Sequence, residues 1–349
     1  MFDGWFLRYR VNRAIHSHEK LMRLSRSKST CMLPIDKSVI SQNSKYMEYA
    51  DRFFLLRGWG LLCSVPFVLV VLVSFSAFVW SGLELYRADA RSVPAQEQMV
   101  MLIAAAIFLA MSFPLLRITL FRDVFTYTNC PIRFNRAERK IFVFNGDNKG
   151  GTLTVPWDDA FIFIGEGRPV GGGAAETTYD LRCHVLDDNE VVRHTFAIGH
   201  HCGNSKAEVL QHWEMIRRYM EEGPQALPFP PLALYLSTEP TLRNAFIIQV
   251  GGMGDGWLRI IAGVFTVPWA LARYVALKTC KEPKWPDWVE AACAVDPDDP
   301  YRQPEPRFAG DARTVGPDGD ERYFAYLQNA AEQAAAYDAS LEIDAKVSA

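Results

Sequence analysis

GWGLLCSVPFVLVVLVSFSAFVW, Gly58 to Trp80, is a run of twenty-three residues without a charged side chain. About 20 predominantly apolar residues in helical form cross a bilayer hydrocarbon core, so this run is long enough to span. A second uncharged run, Met99–Leu116, follows after a short linker. The two runs predict a membrane hairpin: a first transmembrane helix over 58–80, a linker over 81–98 and a second helix over 99–121. Trp59 and Trp80 bracket the first span and are expected to act as interfacial anchors, since indole prefers the headgroup layer.

Working outward, the flanking charges set the sidedness. Residues 1–57 carry eleven Lys or Arg against five acids, whereas the linker holds only Arg87 and Arg91 against Glu84, Asp89 and Glu97. Arg117, Arg122, Arg133, Arg136, Arg139 and Lys140 come after the second span. Cytoplasmic loops are enriched in Lys and Arg, so both ends of the hairpin are expected in the cytoplasm with the linker outside. The first apolar run begins far beyond the roughly 15–30 residue window of a cleaved signal and is expected to remain as an anchor. The expected location is a membrane crossed twice, with the bulk of the chain on its cytoplasmic side. Seven cysteines without a C-x-x-C pair read as small hydrophobes in a reducing compartment.

Around the hairpin the chain divides further. Residues 1–57 read as a basic cytoplasmic arm, with Tyr46–Arg57 a helix entering the first span. Residues 122–223 are the most legible soluble unit. Strand candidates lie at Asp123–Thr128, Pro131–Asn135, 141–145, 152–157, 160–165, Thr178–Leu186 and Val191–Ile198, with Asp187, Asp188 and Asn189 forming a hairpin turn. Ser205 and Glu208 then form a capping box, and Val209, Trp213, Ile216 and Met220 recur on one helical face. Gly223-Pro224 stops that helix. Residues 224–293 combine a Pro-rich loop with an apolar segment, Trp257–Leu277, interrupted by Arg259, Pro268 and Arg273. That segment reads as an interfacial helix, or one packed on the hairpin, in preference to a third span, because a crossing would place Lys278, Lys281 and Lys284 outside. Residues 294–349, with twelve acids against five bases, read as a largely disordered tail in which 323–337 could form a short Ala-rich helix.

Chemistry is sparse. GGMGDG at 251–256 has the wrong glycine order for a dinucleotide fingerprint, and neither G-x-S-x-G nor H-E-x-x-H occurs. His200, His201 and Cys202, with Cys183, His184 and His194 nearby, invite a zinc site. Successive side chains of an extended segment point to opposite faces, however, so the group reads as polar residues ahead of a helix cap. Asp158 and Asp159 read as turn residues and not as a catalytic pair. No catalytic, cofactor or metal residue is assigned, and the chain is read as a non-enzyme. Arg133, Arg136, Arg139 and Lys140 are the candidate membrane-surface contacts, each worth about 1 kcal/mol near anionic lipid. Nucleic acid is not expected as a partner, given mild net acidity and no basic patch interleaved with aromatics.

The hairpin followed by PIRFNRAERKIFVFN, TVPWDDAFIFIG, the HWEMIRRYMEEGP helix and KEPKWPDWVE resembles a family of uncharacterised proteobacterial membrane proteins encoded near type VI secretion effectors. The plan of antiparallel strands closed by one helix is similar, more distantly, to pleckstrin-homology-like bacterial membrane proteins. The implied fold is an α+β membrane protein, a two-helix transmembrane hairpin followed by a pleckstrin-homology-like β module with a C-terminal capping helix. The implied role is binding: immunity against, or handling of, a secreted effector, with membrane lipid and that effector as partners. The alternatives are a transporter or channel component and a lipid-binding scaffold. Transport is disfavoured by two apolar runs without ionisable groups.

Overall fold

A computed structural model of the chain describes residues 9–88, 99–100, 103, 106–107, 110, 113, 116–117, 119–146, 151–167, 177–199, 203–228, 236–250, 257–303, 306 and 319–348. The chain forms two compact units, one from Met1–Leu55, Tyr127–Glu239 and Glu282–Ala349, the other from Leu56–Thr126 and Pro240–Lys281.

The first unit is α+β, with two antiparallel sheets. Strands β1 (Arg13–Ala14), β2 (Val39–Gln42), β3 (Tyr46–Tyr49), β4 (Ile132–Asn135), β5 (Lys140–Val143), β6 (Leu153–Pro156), β7 (Phe161–Gly167), β8 (Thr178–Leu186) and β9 (Val191–Ala197) occur along the chain. One sheet has the order β2-β3-β4-β5-β6, the other β1-β9-β8-β7. The predicted turn between β8 and β9 is present: the Asp187 carboxylate accepts from the backbone N–H groups of Asn189 and Val191 at 3.0 and 2.8 Å, and Glu190 takes φ +58°.

The helix Lys206–Glu221 closes this unit, and the Ser205 hydroxyl accepts from the Glu208 N–H at 3.1 Å as its N-cap. Val209, Trp213, Ile216 and Met220 are all buried, in one core with Tyr49, Phe134, Ile162, Ile164 and Leu181 from both sheets. Trp213 stacks on Trp157 at 5.9 Å between ring centroids. Burying a large apolar side chain stabilises by about 1.5–3 kcal/mol, so this helical face is a main source of the unit's stability.

Four expectations change here. The segment 1–57 is no separate arm: β2 and β3 extend the sheet through the β3–β4 pairing, and β1 pairs with β9. Tyr46–Tyr49 is therefore a strand, and the helix before the first apolar run is only Arg52–Leu56. Pairing with the buried strand β4 decides this over local propensity. Asp123–Thr128 forms no strand, because the preceding helix runs on to residue 123. The acidic tail contains a 30-residue helix, Gly319–Ser348. Its Ala330 and Ala334 are buried, and the Asp338 carboxylate accepts from the Ser205 hydroxyl and the Ala207 N–H.

The second unit is helical. Its first helix, Trp59–Ala88, extends eight residues into the expected 81–98 linker. The described positions of 99–123 are also helical, while residues 89–98 and much of the second apolar run lie outside the described residues. Gly60 and Ser64 form a small-x-x-x-small pair that lets backbones approach closely. A Cβ on Gly60 would stand 2.3 Å from the Thr119 carbonyl oxygen, and the Ser64 and Thr119 hydroxyls lie 2.7 Å apart. The Asp123 carboxylate accepts from the Leu61 N–H at 3.1 Å, and the Arg57 guanidinium donates to the Arg122 carbonyl at 2.8 Å and the Thr126 hydroxyl at 2.9 Å.

The helices Leu242–Val250 and Trp257–Thr279 pack against each other, and the latter packs on Trp59–Ala88. Gly58, at φ +90°, admits this contact, since a Cβ there would lie 2.3 Å from the Arg273 backbone nitrogen. Ala270, Arg273 and Ala276 are buried, while Val264, Leu271 and Val275 are exposed.

Candidate functional site

The four basic residues expected at a membrane surface do not form one patch. Arg133 on β4 is buried, its Nε 2.6 Å from the Glu48 carboxylate, with its guanidinium 4.3 Å over the Tyr46 ring and 4.9 Å over Trp285. The antiparallel register that sets Arg133 opposite Glu48 dictates this. Arg139 is committed to Asp158 at 2.6 Å and Glu221 at 3.2 Å, and Lys140 to Glu138 at 2.7 Å. Arg136 is half-buried. Three of the four thus neutralise carboxylates of their own unit. Arg133, being buried, is removed from the quartet expected at headgroups, while Arg136, Arg139 and Lys140 stay partly exposed.

The other singled-out groups have structural partners too. Asp158 lies in the 3₁₀ turn Trp157–Asp159, where the Arg139 hydrogen bond holds its carboxyl below the ordinary value. Residues 200–202 lie outside the described residues. Among the described residues no group of three His, Cys, Asp or Glu side chains could hold a metal ion. His184 is buried, with Nδ1 2.8 Å from the Thr195 hydroxyl and Nε2 3.3 Å from Glu19. Burial pulls its pKa down, against the pull of Glu19 in the other direction.

Two arrangements had no clear sequence signal. In the first, the Asp36 carboxylate accepts from the Ser38 hydroxyl and lies 2.7 Å from His212 Nε2. All three side chains are buried, so no substrate reaches this Ser–Asp–His group, and it acts as an internal clamp between the β2 approach and the capping helix.

The second is a cleft of about 400 Å³. One wall is Arg23, Ser25, Arg26 and Ser27, from the stretch that follows the short helix Ser17–Leu21. Ile162 of β7 and Trp213 of the capping helix supply the apolar side, with Leu24. The stretch is fixed by its backbone: the Leu24 N–H donates to the Ile162 carbonyl at 2.9 Å, and the Ile164 N–H to the Met22 carbonyl at 3.1 Å. Arg26 donates to the Trp157 carbonyl, and Arg23 lies 4.9 Å over the Phe161 ring. Trp213 Nε1 is buried without a hydrogen-bond partner among the described residues. No carboxylate is among the described lining residues, although Asp158, held by Arg139, feels the charge of Arg26. The basic, hydroxyl-rich run RLSRSK at 23–28 was the available signal, hidden by reading it as part of a solvated arm.

The helical unit has a different surface. Val65, Leu69, Val70, Leu72, Val73, Phe75 and Trp80 on the first helix are exposed, as are Met99, Val100, Ile103, Ile107 and Phe113 on the second. Among the described residues one helix, within Arg52–Ser76, is long and apolar enough to cross a bilayer, and only 18% of its most apolar stretch is buried. At the charged end, Trp59 and Trp269 rings meet at 5.2 Å, and Trp269 donates to the Arg57 carbonyl at 3.2 Å.

Two antiparallel sheets closed by a helix, joined to an apolar helical unit, define an α+β protein without an assigned chemistry. A model of a family of unknown function, DUF6708, matches residues 105–297, more than half of the chain, and the chain belongs to that family. No curated protein and no solved structure matches it. The matched span takes in β4–β9 and the capping helix but neither the segments that supply β1–β3 nor the 319–348 helix.

Proposed function

We propose that this chain is an integral protein of the bacterial inner membrane, anchored by a two-helix hairpin and carrying a cytoplasmic β module that acts by binding. The observation that carries the reading is the exposed apolar surface of the Trp59–Ala88 helix. A core helix of a water-soluble protein buries its apolar side chains, whereas this one leaves most of them uncovered over its most apolar stretch. Thirty helical residues measure about 45 Å, more than the ~30 Å hydrocarbon core. Trp59 and Trp80 serve as interfacial anchors in this reading, and membrane lipid is the immediate partner. The β module follows a pleckstrin-homology-like plan enlarged by strands from the N-terminal segment.

The specific role we favour is immunity against, or handling of, a type VI secretion effector, supported by the resemblance of the hairpin, strand and helix motifs quoted above. Confinement by the hairpin raises the effective concentration of the module toward a partner arriving at the membrane. Alkaline carbonate washing of membranes tests the anchor: the protein stays in the pellet and enters solution only with detergent, and release by carbonate alone contradicts the hairpin. For sidedness, a cysteine introduced at Ser92 is labelled by an impermeant maleimide in intact cells and Cys31 is not. For the role, cells lacking the gene are killed by effector-delivering siblings, and survival equal to the parent's excludes immunity.

A further inference from the structure

The geometry points to the cleft between the 23–27 stretch and the capping helix as a binding site for an organic phosphate, with the phosphoryl group on Arg23 and Arg26 and its apolar body against Leu24, Ile162 and Trp213. The cleft lies within the first unit, and only the bilayer format and the lipid arm of its test rest on the membrane reading.

The polar groups offered by the cleft are predominantly donors. Arg23 and Arg26 present guanidinium forks, and Ser25 and Ser27 present hydroxyls 3.2 Å apart. A carboxylate has about four lone-pair sites, whereas the three terminal oxygens of a phosphate monoester accept more, so the donor-rich wall fits the tetrahedral dianion better. Arginine suits this role because its planar fork bonds phosphate bidentately and stays charged at any working pH. No described lining residue is acidic, which leaves the two guanidinium charges uncompensated within the cleft itself. The volume, about 400 Å³, lies in the range of small-molecule pockets, and the Ile162 and Trp213 wall covers an apolar or planar moiety.

The phosphate can come from a soluble metabolite or from a lipid headgroup, and one experiment separates them. The full chain is reconstituted in phosphatidylcholine nanodiscs and titrated calorimetrically with glycerol 3-phosphate. A parallel set of discs contains phosphatidic acid, and thermal stabilisation is read. Saturable binding of glycerol 3-phosphate, weakened about tenfold or more by Arg23→Ala and severalfold by Trp213→Phe, supports a soluble ligand. Stabilisation only in phosphatidic acid discs, abolished by Arg23→Ala, supports a lipid headgroup. Arg23→Lys, which keeps the charge but loses the fork, falls between wild type and Arg23→Ala in either case. Arg23 is exposed, so its variants fold, and the inference survives any instability of Trp213→Phe. No response to either probe, or equal responses from wild type and Arg23→Ala, overturns it.

Discussion

Glu214 lies fully buried on the capping helix and accepts from the Ser29 hydroxyl, the Thr30 N–H and hydroxyl, and the Arg217 and Arg218 guanidiniums. Burial pushes its carboxyl up, but the hydrogen bonds from Arg217, Arg218, Thr30 and Ser29 outweigh it and hold the group at about 2. A carboxyl depressed on folding contributes stability that is complete above its unfolded value, near 4.5, and is lost as pH falls toward about 2. The expected loss over that window is about 3 kcal/mol. Denaturant unfolding between pH 6 and pH 3 should show about 2 kcal/mol of it, and Glu214→Gln should flatten that slope. Arg133 and Lys140 make a second residue-scale contrast. Arg133→Ala leaves Glu48 buried and unpaired and is expected to cost about 3–5 kcal/mol, whereas Lys140→Ala, at a half-exposed pair, should change stability by about 1 kcal/mol or less. Equal, small effects on stability with a loss of vesicle binding would restore the headgroup reading of these residues.

At the scale of elements, two contacts hold the helices in place. The helix Gly319–Ser348 completes the cap of Lys206–Glu221 through Asp338 and buries Ala330 and Ala334. Asp338→Ala should cost about 1 kcal/mol, the usual worth of an N-terminal cap, and Ala334→Asp considerably more, by burying a charge. Chemical denaturation of both variants checks the order. In the helical unit Gly60 leaves no room for a side chain beside the Thr119 carbonyl. Gly60→Leu should therefore separate the two helices, lowering the melting temperature in detergent, while Cys63→Ala, at an exposed position, leaves it unchanged. The sequence carried the Ser205–Glu208 cap, because a capping box is local. It did not carry the tail helix's docking, since an Ala-rich acidic stretch reads as solvated until a partner surface covers it.

For the whole molecule, the β module is assembled from distant pieces of chain. Residues 122–223 alone lack β1–β3, so a fragment with those bounds exposes one edge of β4 and loses Met32, Val39, Met47, Tyr49, Leu227 and Ala334 from the common core. It should aggregate or give a collapsed, poorly dispersed amide spectrum, and co-expression with residues 9–57 and 282–349 should restore dispersion. A well-folded 122–223 fragment contradicts this assembly. Most strands from β4 to β9, the β8–β9 turn and the capping helix were legible because alternation, turn chemistry and helical period are properties of contiguous residues. The length and apolar character of Gly58–Trp80 were legible for the same reason. Only the tertiary structure decided which charges are buried and which segments belong to the module. Arg133 is neutralised by Glu48, 85 residues away, and the cleft pairs residues 23–27 with Trp213. Such pairings depend on strand register and on the packing of remote elements, and no local pattern encodes them.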